Sequence, residues 1–227
     1  MVAHWMDIDQ EHGNSTAPIL IGKQGYRKST FCRIILPPEL RSFFTDSVDF
    51  RTKQEAERYL TRFLLINIDE FDQLSEQQFA FVKHLFQKPN VSMRRMYSES
   101  IAQMRRYASF IGTSNRKDLL TDPTGSRRFL CWEVERNIDC SPIQHDQLFA
   151  QLRQQLDEGE PTYLTSEWER EVEAHNEAYQ RVSPEQDAFL QCFRLPEGDE
   201  DPIPYSAAQI FAQLCKAYPQ VMRGITA

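Results

Sequence analysis

The chain has 227 residues, of which 41% are hydrophobic and 26% charged, a balance that suits a globular protein with a real core of one large domain plus an appendage. No apolar run is long enough to span a bilayer, and the start, "MVAHWMDIDQEHGN", lacks the basic opening and apolar centre of a secretory signal, so a cytoplasmic protein without membrane contact is expected. The net charge of −7 hides an asymmetry: residues 1–90 sum to −1, residues 91–130 to +5 and residues 131–227 to −11, which excludes general coating of nucleic acid and leaves a small anion-binding surface in the middle.

In chain order, "APILIG" (17–22) is a short apolar run ending in glycine and predicts a buried strand. "STFCRIIL" predicts a helix stopped by Pro37-Pro38. A second strand is expected from Phe63 to Ile68, with two acids directly after it. "SEQQFAFVKHLFQ" (75–87) predicts an amphipathic helix with Phe79, Val82 and Phe86 on one face and Ser75 as its cap. "NVSMRRMYSESIAQMRRYASF" predicts a hairpin or exposed basic segment leading into a third strand, "ASFIGTSN". "DPTGSRR" is a turn and "FLCWEV" (129–134) a fourth strand. The texture then becomes helical: "QHDQLFAQLRQQLDEG", "TSEWEREVEAHNEAYQRV" and "SPEQDAFLQCF" each predict a helix. "LPEGDEDPIP" follows as an acidic, proline-rich linker, and "SAAQIFAQLCKAY" as a last helix with its own S-x-x-Q cap.

Strands alternating with helices imply a three-layer α/β sandwich around a mainly parallel sheet. The expected divisions are a core over 1–140, a helical extension over 141–195, and the linker with the last helix over 196–227. Five cysteines, Cys32, Cys131, Cys140, Cys192 and Cys215, show no C-x-x-C spacing. They read as reduced, mostly buried thiols, neither a disulfide framework nor a zinc site. The five histidines are scattered, and His84 reads as a surface or satisfied core residue.

Four features carry chemistry. The first is "GKQGYRKST" (22–30), close to the phosphate-binding pattern G-x-x-x-x-G-K-[ST] except that Arg27 stands where the second glycine belongs. Such a loop needs a strand to deliver it to the sheet edge, backbone N–H groups turned inward, a lysine for the phosphate oxygens and a hydroxyl for Mg²⁺. Gly22, Gly25, Arg27, Lys28, Ser29 and Thr30 are the candidate ATP contacts. The second is "FLLINIDE": two carboxylates beyond an apolar strand are costly unless they work, Asp69 with Ser29 on Mg²⁺ and Glu70 on the attacking water. Third, "FIGTSN" presents Thr113, Ser114 and Asn115, a polar cluster from which one side chain can orient that water. Fourth, "TGSRRF" offers Arg127 and Arg128 to a neighbouring subunit's γ-phosphate. Each alone also reads blandly, as a glycine turn, an acidic strand end, a polar turn or a solvated basic turn; the argument lies in their order.

The run "PILIGKQGYRKSTF … LLINIDEFD … FIGTSNRKDLLTDPTGSRRF" resembles the virulence-associated E family of P-loop ATPases, related to superfamily 3 helicases and the helicase halves of primase-helicases within the AAA+ class. The likeness covers about residues 15–135 well. It implies a P-loop, AAA+-like fold and an ATPase of phage-type or mobile-element replication, acting as a homo-oligomeric ring on single-stranded or forked DNA, with a primase as a possible partner. Lys28 and Ser29 match the Walker A lysine and hydroxyl, Asp69 and Glu70 Walker B, Asn115 the sensor, and Arg127 or Arg128 the arginine finger. The resemblance also places a pore-lining hairpin at "MRRMYSESIAQMRR", where Arg94, Arg95, Arg105 and Arg106 would neutralise phosphates and Tyr97 or Tyr107 would stack on a base. The tail is similar to the start of a small winged-helix-like domain. Arg27 departs from the pattern and leaves a second reading open, a nucleotide-dependent switch or assembly module that binds ATP with little hydrolysis. A small-molecule kinase is a weaker third, since no substrate lid is evident.

Overall fold

The computed structural model describes residues 1–8, 14–50, 52–94, 101–121, 123–196, 198 and 201–225. They form two compact units, Met1–Gln180 and Arg181–Ala227. In the first unit, α1 (Val2–Trp5) is followed by β1 (Ala17–Ile21), α2 (Lys28–Ile34), β2 (Phe44–Thr45), α3 (Lys53–Arg62) and β3 (Leu65–Ile68). Next come α4 (Glu76–Gln87), β4 (Asn90–Arg94), β5 (Ile101–Arg105), β6 (Ser109–Ser114), β7 (Phe129–Glu133), α5 (His145–Asp157) and α6 (Ser166–Asn176). The second unit holds α7 (Pro184–Cys192) and α8 (Ala207–Ala217), packed over Ala188, Leu214 and Met222.

Among the described residues the main sheet has five strands in the order β2-β3-β6-β1-β7, every neighbouring pair parallel. β3 and β6 are buried along their whole length. Parallel strands covered on both faces read as continuous apolar runs, as "LLINI" and "ASFIG" do. One face packs Ile19, Ile66, Ile68 and Phe110 against Leu60 of α3 and Phe79, Val82 and Phe86 of α4. The other packs Leu65 and Ile111 against Cys32 and Leu36, which come from α2 and the turn after it. Gly112 makes room for its cross-strand partner, since a Cβ there would lie 2.7 Å from Ile19 Cδ1.

Local signals placed most elements. Ser75 caps α4 in a reciprocal box with Gln78, and Ser206 and Gln209 do the same for α8. Ser183 caps α7 ahead of proline at the first helical position. The strand expected from Phe63 begins instead at Leu65: "KQEAERYLTR" is helical as α3, and Phe63 still donates its N–H to Tyr59 O at 3.0 Å. The third strand runs Ser109–Ser114, within the expected "ASFIGTSN". β4 and β5 pair antiparallel as the expected hairpin. All five cysteines are free thiols; Cys32 and Cys131 are buried, with burial pushing each pKa up to about 12. No described helix is long and apolar enough to cross a membrane.

Candidate functional site

Parallel pairing brings three strand ends to one edge of the sheet. Ile21 lies opposite Ser114, and Ile68 opposite Gly112. The segments that follow β1, β3 and β6 therefore meet at the carboxyl edge, where open α/β sheets place their ligands. Gly22 continues the ladder, its N–H donating to Ser114 O at 3.1 Å. A Cβ at Gly22 would lie 2.5 Å from Val134 O, so only glycine fits. Gly25 takes φ +89°, the left-handed region glycine favours.

Lys28, the first residue of α2, is 7% exposed. Its ammonium donates to Gly22 O at 2.6 Å, Lys23 O at 3.0 Å and Asn115 Oδ1 at 3.0 Å. It thus spans the hollow of its own loop and ties it to the end of β6. Burial lowers its pKa, opposed by the nearby carboxylates of Asp69 and Asp72. Ser29 Oγ donates to Asp69 Oδ1 at 2.9 Å, and the Thr113 hydroxyl donates to the same oxygen. Glu70 is exposed, and its side chain has no hydrogen-bond or ionic partner among the described residues. Thr30 is exposed in the first turn of α2.

Asp72 is the residue the sequence reading passed over. It accepts from Ser114 Oγ at 2.9 Å and from the Asn115 N–H at 3.3 Å, and so fixes the turn that carries Asn115. The signal was present as the third acid of "DEFD", with nothing in the sequence to say what it faced.

Two of the three non-glycine residues with positive φ among those described sit here, Arg27 at +62° and Glu70 at +51°. A side chain in that region costs roughly 1–2 kcal/mol and persists where the surroundings hold it, often at functional sites. Arg27→Gly is expected to raise the unfolding free energy by about 0.5–1 kcal/mol, and Arg27→Val to lower it, by urea titration of both variants. Shifts of the same sign would show that strain at position 27 is not the controlling factor.

Residues 12–181 match the family model of the virulence-associated protein E-like domain. The chain belongs to that family. No curated protein matches it. Among solved structures it is similar to two of the C-terminal region of NrS-1 (305–718), at 15% and 16% identity and a TM-score of 0.42. The alignments cover 78% of this chain and 38% or 39% of those chains, so it spans less than two thirds of their length.

In this virulence-associated protein E-like domain, Arg127 and Arg128 do not join the group around Lys28. They end the turn Pro123–Arg128, directly before β7, whose Phe129 lies opposite Ala17 at the start of β1. The pair is at the amino edge of the sheet, about 15 Å from the carboxyl edge for a strand of this length. Arg127 Nη1 lies 3.1 Å from Glu169 Oε2 on α6. Arg128 is half-buried, with no ionic partner among the described residues.

The basic segment divides. The backbone of Arg94 closes β4; Arg95 and Tyr97 lie outside the described residues. Arg105 turns toward the body of the domain, pairing with Asp7 and donating to His4 O, with its guanidinium 5.4 Å from the exposed Tyr107 ring. Arg106 is a correction. It is 0% exposed, and its guanidinium donates to the carbonyls of Ala108, Leu85, Phe86, Lys88 and Asn14. A side chain sealed inside and committed to backbone in this way is out of reach of a phosphate. Burial pushes its pKa down to about 10.

Proposed function

We propose that this chain is a Mg²⁺-dependent ATP-binding and ATP-hydrolysing protein of phage-type or mobile-element DNA replication, a superfamily 3-like helicase or primase-associated ATPase with a P-loop, AAA+-like core. The observation that carries the reading is the linkage of Lys28 to Asn115 and of Ser29 to Asp69 across the ends of β1, β6 and β3. Membership of the virulence-associated protein E-like family supports it.

The residues fit Mg-ATP. One hydroxyl and one carboxylate suit a small hard cation that keeps waters and takes its other ligands from phosphate. Among the described residues no group of three or more His, Cys, Asp and Glu could hold a metal ion alone. When bound, Mg-ATP supplies the phosphoanhydride bond and a cation that spreads its charge. Lys28 gives up carbonyl partners to take phosphate oxygens. Ser29 and Asp69 hold the cation, and Gly22 and Gly25 let backbone approach, with Arg27 and Thr30 alongside. Glu70 accepts the proton of the attacking water, and Asn115 orients that water. Arg127 or Arg128 serves the next copy in a ring, since their own site lies across the sheet. The β4–β5 hairpin is the DNA-facing element, with Arg94, Arg95 and Tyr97 as its contacts.

Titration calorimetry of Mg-ATP into wild type and Lys28→Ala tests the site, followed by phosphate release with and without single-stranded DNA. Wild type is expected to bind, Lys28→Ala to bind at least roughly tenfold more weakly, and DNA to raise turnover. Equal binding by the two proteins would overturn the reading. Binding by wild type with no phosphate release, with or without DNA, would favour the switch, a reading that the bulk of Arg27 in the loop supports.

A further inference from the structure

The arginine turn needs a mount. An arginine that must reach another copy of the chain works only if its backbone is fixed, because its long side chain already carries much freedom. The structure supplies one candidate that neither the loop nor the acidic pair explains. Asn176, the last residue of α6, is 0% exposed. Its amide nitrogen donates to Ser126 O at 2.7 Å and to Phe129 O at 2.7 Å. These are the carbonyls immediately before and immediately after Arg127-Arg128. Both amide hydrogens are spent on bracketing that pair.

Other contacts show that α6 is docked to this region and not merely near it. Glu169 takes Arg127 at 3.1 Å. The His175 ring lies 3.0 Å from Cys131 O on β7. Tyr179 O accepts the N–H groups of Leu119 at 3.1 Å and Leu120 at 3.0 Å. α6 and the single turn that follows it, Glu177–Tyr179, therefore grip the chain ahead of the arginine turn, at it and beyond it.

We propose that Asn176 is a positioning residue for ATP hydrolysis: it holds the Arg127-Arg128 turn in the conformation that presents Arg128 to the nucleotide site of a neighbouring copy, while Glu169 retains Arg127. The inference rests on the ATPase reading above. It requires that loss of Asn176 damages the neighbour's site and leaves the chain's own nucleotide site intact. A purely structural role would weaken every property of the variant together.

Subunit mixing separates these. Asn176→Ala and Glu70→Gln are assayed for steady-state ATP turnover alone and mixed in equal amounts. Asn176→Ala alone is expected to lose at least roughly tenfold in kcat with KM for ATP within about twofold of wild type. In the mixture, a Glu70→Gln copy carries an intact arginine turn and meets the intact site of an Asn176→Ala copy, so activity should return toward about a quarter of wild type by random pairing. Glu169→Gln, which alters an exposed pair, runs as a second variant in the same mixing test should Asn176→Ala fail to give cooperative unfolding. It is expected to show a smaller kcat loss with the same recovery. An unchanged kcat, or no recovery on mixing, overturns the proposal for Asn176 and leaves the ATPase reading standing. If wild type neither binds nor hydrolyses Mg-ATP, that reading itself has failed and the role of Asn176 falls with it.

Discussion

Glu70→Gln should bind Mg-ATP within a few-fold of wild type and turn it over at least about 100-fold more slowly, the usual weight of a positioned general base. The two adjacent carboxylates are not equivalent. Asp69 Oδ1 already accepts from Ser29 and Thr113, which holds that carboxylate facing the loop and suits it to a cation. Glu70 is exposed at the end of β3, in the left-handed region at φ +51°, with no partner among the described residues for its side chain. Of the two, Glu70 is the carboxylate with neither oxygen engaged among the described residues. Glutamine keeps its size and backbone conformation and removes its basicity, so binding and chemistry should separate. Glu70→Gly adds a control, since it relieves the strained backbone and should raise stability while turnover falls, the pattern of a residue kept for function at a cost in stability. Turnover by Glu70→Gln equal to wild type would assign the base elsewhere.

The grouping of the candidate site was legible where its residues stand in consecutive runs. "GKQGYRKST" and "LLINIDE" each hold their functional groups in one run, and parallel pairing brought both ends to one edge. What the sequence does not carry is which way a side chain turns. Arg105 and Arg106 are neighbours in one basic cluster, yet Arg105 reaches Asp7 while Arg106 is sealed inside. Successive residues of an extended chain point to opposite sides, and net charge is blind to that alternation. β2 escaped because two residues show no period; what defines it is pairing, Phe44 opposite Leu65 and Thr45 opposite Ile66. α3 escaped because its buried face rests on Ala56 and Leu60 within an otherwise polar run. Asn176, within "EAHNEAY", offered no signal at all, because its importance comes from the two carbonyls it meets 50 and 47 residues away in sequence.

Arg106→Met is expected to destabilise the first unit by about 3 kcal/mol or more, although methionine packs well and removes a buried charge. Replacing a buried ion pair by apolar residues can be neutral, because both charges leave together. Arg106 is a different case, since its partners are backbone carbonyls that remain after the substitution. Leu85 O and Phe86 O lie in the last turn of α4, at the negative end of the helix dipole, and Leu85 O also accepts the Lys88 N–H at 3.3 Å. Ala108 O precedes β6 and Asn14 O precedes β1, so one guanidinium joins the end of α4 to the approaches of two central strands. Its face also lies 5.6 Å from the Phe110 ring in the core. Each carbonyl left buried without a donor costs roughly 1–3 kcal/mol, and methionine supplies none. For a unit of this size a loss of 3 kcal/mol corresponds to a fall in melting temperature on the order of 10 °C. Arg106→Lys should recover only part of it, since an ammonium offers three donors where the planar fork offers five. Urea unfolding of both variants checks the order. A DNA-contact role would predict the opposite result, near-native stability with weakened, salt-dependent binding to single strands.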